Sequence, residues 1–387
     1  MTLKLARRIV LSAVTVASLV ALNMFLPPSV EGQCPRPGSY WKCPVTERPG
    51  EPRPGGLTAR VQARYSHTQS DPDQPTWLVR DDRAGRDDYN TRRLRLAWSH
   101  QPSEDLLVFG QIRRDWGADE FEWHDLYATW SGLDWGNLTV GQMMAPFDRQ
   151  FMTSDVRLPL AERPSSSILL VPGRDIGALL HGTSRDGCLG WYAGLYLGNG
   201  KNELDATGAP MPAARVEWLV SENLNLGANW ALNNGARTSK FRKFISANGD
   251  PLGLAELYRD RQVDEEAWGL DAIWREGPTS VWAGYNEKSI SASGRQGVTA
   301  SGCYAQLSRF VPCSGAEDKL ELVGAWEEFD PGAAAPPNLE ARWLTLGANY
   351  HIEGCVRQVR LQYIHRDEAA GDVSNDTLLV QYEHVFK

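Results

Sequence analysis

The chain closes on Thr377-Leu378-Leu379-Val380-Gln381-Tyr382-Glu383-His384-Val385-Phe386-Lys387, and the alternation in this stretch decides the fold class. Leu378, Val380, Tyr382 and Phe386 share one face, Leu379, Gln381, Glu383 and Lys387 largely share the other, and only His384 interrupts the first. A period of two puts successive side chains on opposite sides of a strand. About ten residues is the length of a strand tilted through the hydrocarbon of a bilayer. The segment also ends the chain almost on an aromatic residue. We therefore expect an all-β fold, a transmembrane antiparallel β-barrel.

At the other end, Lys4, Arg7 and Arg8 precede an apolar run from Ile9 to about Leu26, broken by Pro27, Pro28 and Ser29. This reads as an export signal over residues 1–33. The alternative is an uncleaved membrane helix, because the run is long enough to span. Glu31-Gly32-Gln33 ahead of Cys34 lacks the aliphatic residue that lipidation sites carry. Residues 34–56, rich in Pro and Gly, are expected to form a periplasmic segment ahead of a barrel over 57–387.

Mean hydropathy is -0.40, yet the chain holds 15 Trp, 12 Tyr and 10 Phe. A membrane barrel looks only moderately hydrophobic because its lipid-facing and lumen-facing positions alternate. The net charge is -8, and residues 1–33 carry more bases than acids, so the remainder is more acidic still. No basic excess points to nucleic acid. Six cysteines in an exported chain can pair in an oxidising compartment, and Cys34 and Cys43 are placed for a local disulfide. Cys188, Cys303, Cys313 and Cys355 fall near strand starts or turns. No C-x-x-C spacing occurs, so zinc ribbons, thioredoxin chemistry and c-type haem attachment lack their ligands. We expect no metal and no cofactor. The seven histidines show no motif with a serine, so a hydrolase is not expected either.

Two-periodic runs recur at 57–66, 90–99, 106–114, 121–130, 136–144, 174–182, 188–197, 213–220, 224–233, 266–275, 280–286, 299–310, 319–328, 340–351 and 355–366, before the closing strand. Clusters of Gly, Asp, Asn and Pro separate them. That makes about 16 strands, an even number, as bacterial barrels have. Short turns at 184–187, 221–223, 276–278 and 352–354 contrast with long connections at 71–88, 199–212, 234–265 and 330–338. Outer-membrane barrels place their short turns in the periplasm. If the last strand descends, the first ascends and both chain ends are periplasmic. A soluble propeller or sandwich would bury one face of each sheet. Here the second face carries Arg60, Arg93, Arg95, Glu217, Asp271, Glu321 and Arg360, which suits a wet lumen.

Val140-Gly141-Gln142 with Pro146-Phe147 opens a long connection that ends at Gly173-Arg174-Asp175-Ile176-Gly177. Together with Asp125-Leu126-Tyr127-Ala128-Thr129-Trp130 upstream, this region resembles the phosphate-selective porin O and P family. The resemblance is carried mainly by residues from about 90 to 200 and elsewhere by strand rhythm. It implies a sixteen-stranded porin of the bacterial outer membrane, often a homotrimer, with a loop after strand five that folds inward and narrows the pore. Asp148, Arg149, Asp155, Arg157, Glu162 and Arg163 are then the candidate constriction residues. The alternative is that several of them merely solvate a surface loop.

On the wall, Arg60, Arg64, Arg93, Arg95 and Arg113 point to the same side as Gln62 and Gln111. On lipid each would cost about 2–4 kcal/mol near the midplane, so we assign them to the lumen. Arginine holds anionic oxygens bidentately, and rings of such groups select anions. Asp125, Glu217, Asp271, Glu321 and Glu327 fall inward on the same register, however, so we expect a transverse field and at most a weak anion preference. The expected function is passive diffusion of small hydrophilic solutes or ions, with phosphate among the candidates. The alternative is a barrel sheath around another outer-membrane component, which the long inward loop disfavours.

Overall fold

The computed structural model describes residues 56–69, 87–115, 121–184, 188–204, 210–236, 263–291, 297–311, 320–332, 340–368 and 374–386. The expected signal, nearly all of the Pro- and Gly-rich segment, Cys34, Cys43, Cys313 and Lys387 lie outside them.

The strands run in chain order β1 (Gly56–Thr68), β2 (Asp87–Ser103), β3 (Leu106–Asp115), β4 (Glu122–Leu133), β5 (Gly136–Met144), β6 (Arg174–Thr183), β7 (Leu189–Tyr196) and β8 (Met211–Leu219). They continue as β9 (Leu224–Ala236), β10 (Val263–Glu276), β11 (Thr279–Ser291), β12 (Val298–Val311), β13 (Leu320–Asp330), β14 (Ala341–Cys355), β15 (Arg357–Glu368) and β16 (Thr377–Phe386). Each pairs antiparallel with its neighbours, and β1 pairs β16 through Ala63↔Tyr382 and Arg64↔Gln381, so the sheet closes. Closure matters because an open strand edge cannot be satisfied in lipid. Every strand expected from alternation is present.

The two faces follow the sequence period. On β16, Leu378, Tyr382 and Phe386 are exposed, whereas Leu379, Gln381, Glu383 and Val385 are buried. His384, the interruption, stacks on Phe386 at a centroid distance of 4.0 Å on the outer side. On β1 and β2, Arg60, Gln62, Arg64, Arg93 and Arg95 are buried inward. Trp98, Leu126, Val140, Trp218, Leu270 and Leu346 belong to the exposed apolar outer belt. No helix among the described residues is long and apolar enough to cross a membrane. Cys355, at the end of β14, is disulfide-bonded.

The wet lumen expected from the inward charges gives way to an apolar inner face over β3 to β7. There Phe109, Tyr127, Leu179 and Tyr196 face inward and join Met143, Met144, Phe147, Phe151 and Val171 in one buried apolar cluster. The reason is the connection between β5 and β6. Residues 145–173 leave the wall and enter the barrel, carrying α1 (Arg149–Met152), a 3-10 turn (Asp155–Arg157) and α2 (Ser166–Leu169). The root of this loop needs a dry seat, and the inner face of β3 to β7 supplies one.

Candidate functional site

The motifs at either end of the inward loop explain how it leaves the wall. Gly141 has φ 129°, and a Cβ there would fall on the Leu126 carbonyl oxygen. Only glycine tolerates both the conformation and the close approach. Past it the β4–β5 ladder ends at Leu126↔Gln142, and the Gln142 amide donates to the Trp123 carbonyl at 3.0 Å, closing the seam that β5 opens as it turns inward. Ala145 N–H then donates to the Gly173 carbonyl at 2.9 Å, which pinches the neck of the loop. Beyond the neck, Arg174 donates to Asp125 at 3.0 Å, and the Asp175 carboxylate accepts N–H groups from Ile176, Gly198 and Gly200. The Asp125 stretch and the Gly173 to Gly177 stretch, far apart in sequence, thus form one joint.

Inside the barrel the loop is strapped to opposite walls. On one side Asp155 receives three wall arginines, Arg60 at 2.8 Å, Arg93 at 3.1 Å and Arg95 at 3.3 Å. Glu162 takes Arg64 at 2.6 Å, Arg92 at 3.0 Å and Arg93 at 3.1 Å. Arg360 of β15 donates to the carbonyls of Asp155 and Leu160, both at 2.9 Å. Burial alone would raise the Asp155 carboxyl, but Arg95, Arg93, Arg163 and Arg360 hold it well below the usual carboxylate range.

On the other side the charges are reversed. The loop supplies Arg149, which donates to Asp271 of β10 at 3.0 Å and lies 3.8 Å from Glu217 of β8. Arg215 of β8 shares the same Asp271 at 2.5 Å and also pairs Glu217 at 3.0 Å. Asp148, with φ 45°, caps α1 through the Gln150 N–H and accepts from Tyr304 Oη at 3.1 Å and Asn286 Nδ2 at 3.3 Å. Burial and the neighbouring Asp271 push the Asp148 carboxyl upward. At the far end Glu327 of β13 accepts the Ser165 N–H at 3.1 Å.

Among the sequence-derived residues, the structure therefore gathers Arg60, Arg64, Arg93 and Arg95 with Asp155 and Glu162, and it sets Asp148 and Arg149 against β8 to β12. Arg113 and Asp125 are not part of that assembly. Arg113 pairs Glu122 at 2.6 Å and Asp115 at 3.3 Å, and Asp125 pairs Arg174. Arg163 ties the loop to itself, donating to the carbonyls of Gln150 and Thr153. Arg157 closes the 3-10 turn, half-buried, its N–H on the Ser154 carbonyl at 2.9 Å.

Sequence reasoning missed Arg92 and Arg215 as parts of the site. Period two points Arg92 outward, but a β-bulge between Gln62 and Ala63 of β1 lets Arg93 and Thr91 oppose successive residues and turns Arg92 toward the loop. Arg215 was legible: it lies two residues from Glu217, already read as inward. The single-sign walls of a simple transverse field are also not what is found. The acids at Glu217 and Asp271 carry their own arginine, so of the two sides that hold the loop the β1–β2 side is the cation-rich one. Among the described residues no group of three or more His, Cys, Asp or Glu could hold a metal ion.

Comparison with curated proteins finds no match. Among solved structures, the fold is similar to the anion-selective porin from Comamonas acidovorans, with 13% identity, 86% of this chain and 99% of that chain covered, and a TM-score of 0.59. It is also similar to the outer membrane channel DcaP of Acinetobacter baumannii (11% identity, 86% and 96% covered, TM-score 0.58). A loop L8 deletion mutant of OmpT from Vibrio cholerae is comparable (10% identity, 86% and 98% covered, TM-score 0.58). Likeness at such identities speaks to the fold. The family model for phosphate-selective porin O and P, in contrast, matches residues 88–382. With that match over most of the chain and a closed barrel of sixteen strands, the protein belongs to the phosphate-selective porin O and P family of bacterial outer-membrane channels.

Proposed function

We propose that this barrel is a passive diffusion channel for small hydrophilic solutes and ions, with a weak preference for anions. The observation that carries the preference is the β1–β2 wall, where Arg60, Arg64, Arg92, Arg93 and Arg95 outnumber the two loop carboxylates they meet, Asp155 and Glu162. Arginine stays charged at any physiological pH and binds planar oxyanions bidentately, so phosphate is within its range. The inward loop is the constriction, with Asp148, Arg149, Asp155, Arg157, Glu162 and Arg163 setting its shape and field. We place the short-turn rim in the periplasm, and we take the assembly to be a homotrimer preceded by a cleaved signal.

The test is ion current across planar bilayers under a salt gradient. Wild-type protein is expected to give a reversal potential on the anion side. The double variant Arg64→Gln/Arg93→Gln is expected to shift it toward cations, and the shift is expected to shrink as salt rises, since charges are screened beyond about 8–10 Å near physiological ionic strength. An unchanged reversal potential in a well-folded variant would move control of selectivity from the wall to the loop.

A further inference from the structure

Beyond the neck of the inward loop lies a cavity of about 140 Å³, lined by none of the residues that strap the loop to the wall. Arg113, Arg174 and Lys201 line it together with His124. His124 is the extra residue of a β-bulge in β4: Gln111 of β3 opposes Asp125 and Ile112 opposes Trp123, so the ladder passes His124 over. Bulges re-aim side chains, and this one buries His124 and Asp125 next to each other, 1% and 2% exposed. Both ring nitrogens of His124 lack a hydrogen-bond partner among the described residues. An imidazole carries at least one N–H donor. Burying it unsatisfied is costly, and such an orphan calls for a ligand or water.

The charge facing this space is positive. Arg113 and Lys201 both meet Glu122, Arg113 also meets Asp115, and Arg174 meets Asp125. None of those three carboxylates lines the cavity. Of the two that do, Asp175 is taken by the N–H groups of Ile176, Gly198 and Gly200. Glu265 pairs Lys288, itself a lining residue, at 3.2 Å. A lysine ammonium has three N–H donors, and among the described residues Lys201 spends one of them, on Glu122. Burial first, then Arg113, pull the Lys201 ammonium down to about 8, a crowding that an added anion would relieve.

A bare oxyanion nonetheless fits badly. Met211 of β8, Ala231 of β9 and Ala267 of β10 also line the cavity, and Ala231 and Ala267 are directly paired across the ladder. All three are 3% exposed and belong to the apolar cluster that seats the loop root. They come from a different arc of the barrel than Arg113, His124 and Arg174. Phosphate and sulfate carry oxygen on every side, and the oxygens turned to this patch would lose water without gaining a partner. A carboxylate with a short tail carries oxygen at one end only. A cavity of about 150 Å³ holds a benzene ring, so this one has the size for about six non-hydrogen atoms.

We infer that this cavity is a subsite for a small monocarboxylate with a short apolar tail. The carboxylate meets Arg113, Arg174 and Lys201 and accepts the His124 N–H, and the tail rests on Met211, Ala231 and Ala267. The inference rests on the channel reading, because the solute arrives through the lumen. It deepens that reading by naming an organic solute class that the arginine wall of β1 and β2 does not single out.

The experiment is equilibrium dialysis of the full-length protein in detergent against radiolabelled isobutyrate, with unlabelled acetate, inorganic phosphate and isobutylamine as competitors. Isobutyrate is expected to bind saturably, one per chain. Acetate is expected to compete about tenfold more weakly, the worth of the two carbon groups it lacks. Phosphate is expected to compete no better than acetate, and isobutylamine, of the same shape and opposite charge, not at all. Lys201→Gln and His124→Phe are each expected to weaken isobutyrate several-fold, and Ala267→Leu, which fills the apolar part, to erase its advantage over acetate. Should either strand variant not fold, Lys201→Gln, on the connection after β7, carries the test. Phosphate competing as tightly as isobutyrate would overturn the inference in favour of a bare-anion site. Equal competition by isobutylamine would overturn it in favour of an apolar recess blind to charge. No saturable uptake would leave only a water-filled recess and would also overturn it. None of these results touches the channel reading, which fails separately if the protein passes no ions across a bilayer.

Discussion

The two anchorages of the inward loop use opposite chemistry. Toward β1 and β2 the loop is the acid and the wall is the base, with Asp155 and Glu162 held by five arginines. Toward β8 and β10 the loop is the base and the wall is the acid, with Arg149 on Asp271. The difference is also one of redundancy. Asp155 is the common partner of three wall arginines, so its loss leaves several buried cations facing one another. Asp271 keeps Arg215 at 2.5 Å whatever happens to Arg149. A strap whose ends differ in sign can dock in one register only, because reversing it would bring acids to acids and arginines to arginines. Electrostatic complementarity of this kind fixes register more than it adds raw affinity.

Removing Asp155 is therefore expected to have the largest effect. Breaking a buried pair from one side costs about 3–5 kcal/mol. Asp155→Ala is expected to lower the local opening free energy of residues 154–163 by that order, seen as faster amide hydrogen exchange there, with the strand amides unchanged. If exchange across 154–163 is unaltered, the arginine side does not hold the loop. The other anchorage is expected to respond less. Arg149→Ala leaves Asp271 satisfied by Arg215, so the cost is expected near that of a charged hydrogen bond, about 1.5–3 kcal/mol, with faster exchange confined to residues 148–153. A larger effect than that of Asp155→Ala would invert the ranking of the two ends.

Acid is expected to separate them further. The Asp155 carboxyl is depressed below its ordinary 3.8 by its arginines, so its contribution to docking is full above that value and is lost as pH falls through it toward the folded-state pKa. Asp148 is shifted the other way, by burial and then by Asp271. Its ionisation opposes docking, and lowering the pH through its raised pKa strengthens that end. Exchange measured between pH 6 and pH 3 is therefore expected to loosen residues 154–163 while protecting residues 148–150. Parallel loosening of both ends would mean that the carboxylates act through general unfolding.

The same contrast shows what the sequence could and could not disclose. Strand alternation was legible because a side chain's face is set by its own position in the chain, as at Leu378, Gln381, Tyr382 and Glu383. The motif glycines were legible as a pattern, and their reason, the close approach of Gly141 to Leu126, needed coordinates. The inward direction of Arg60 and Arg95 followed from period two, but their partner did not, since Asp155 lies 95 residues from Arg60 along the chain and reaches it only through the folded loop. Arg92 escaped because one β-bulge shifts the period locally. The apolar seat formed by Phe109, Tyr127, Leu179 and Tyr196 escaped because alternation alone does not distinguish an inward apolar face from an outward one, and the lumen that the loop enters was read as wet.

The most direct measurement is single-channel current through Asp155→Asn, a variant of nearly the same shape that loses only the charge. If the loop is held in the lumen by Asp155 and this carboxylate offsets the arginine wall, conductance is expected to rise and the reversal potential to move further to the anion side, both effects fading at high salt. Conductance and reversal potential equal to wild type would contradict the account, placing the constriction and its field elsewhere than at the loop's contact with β1 and β2.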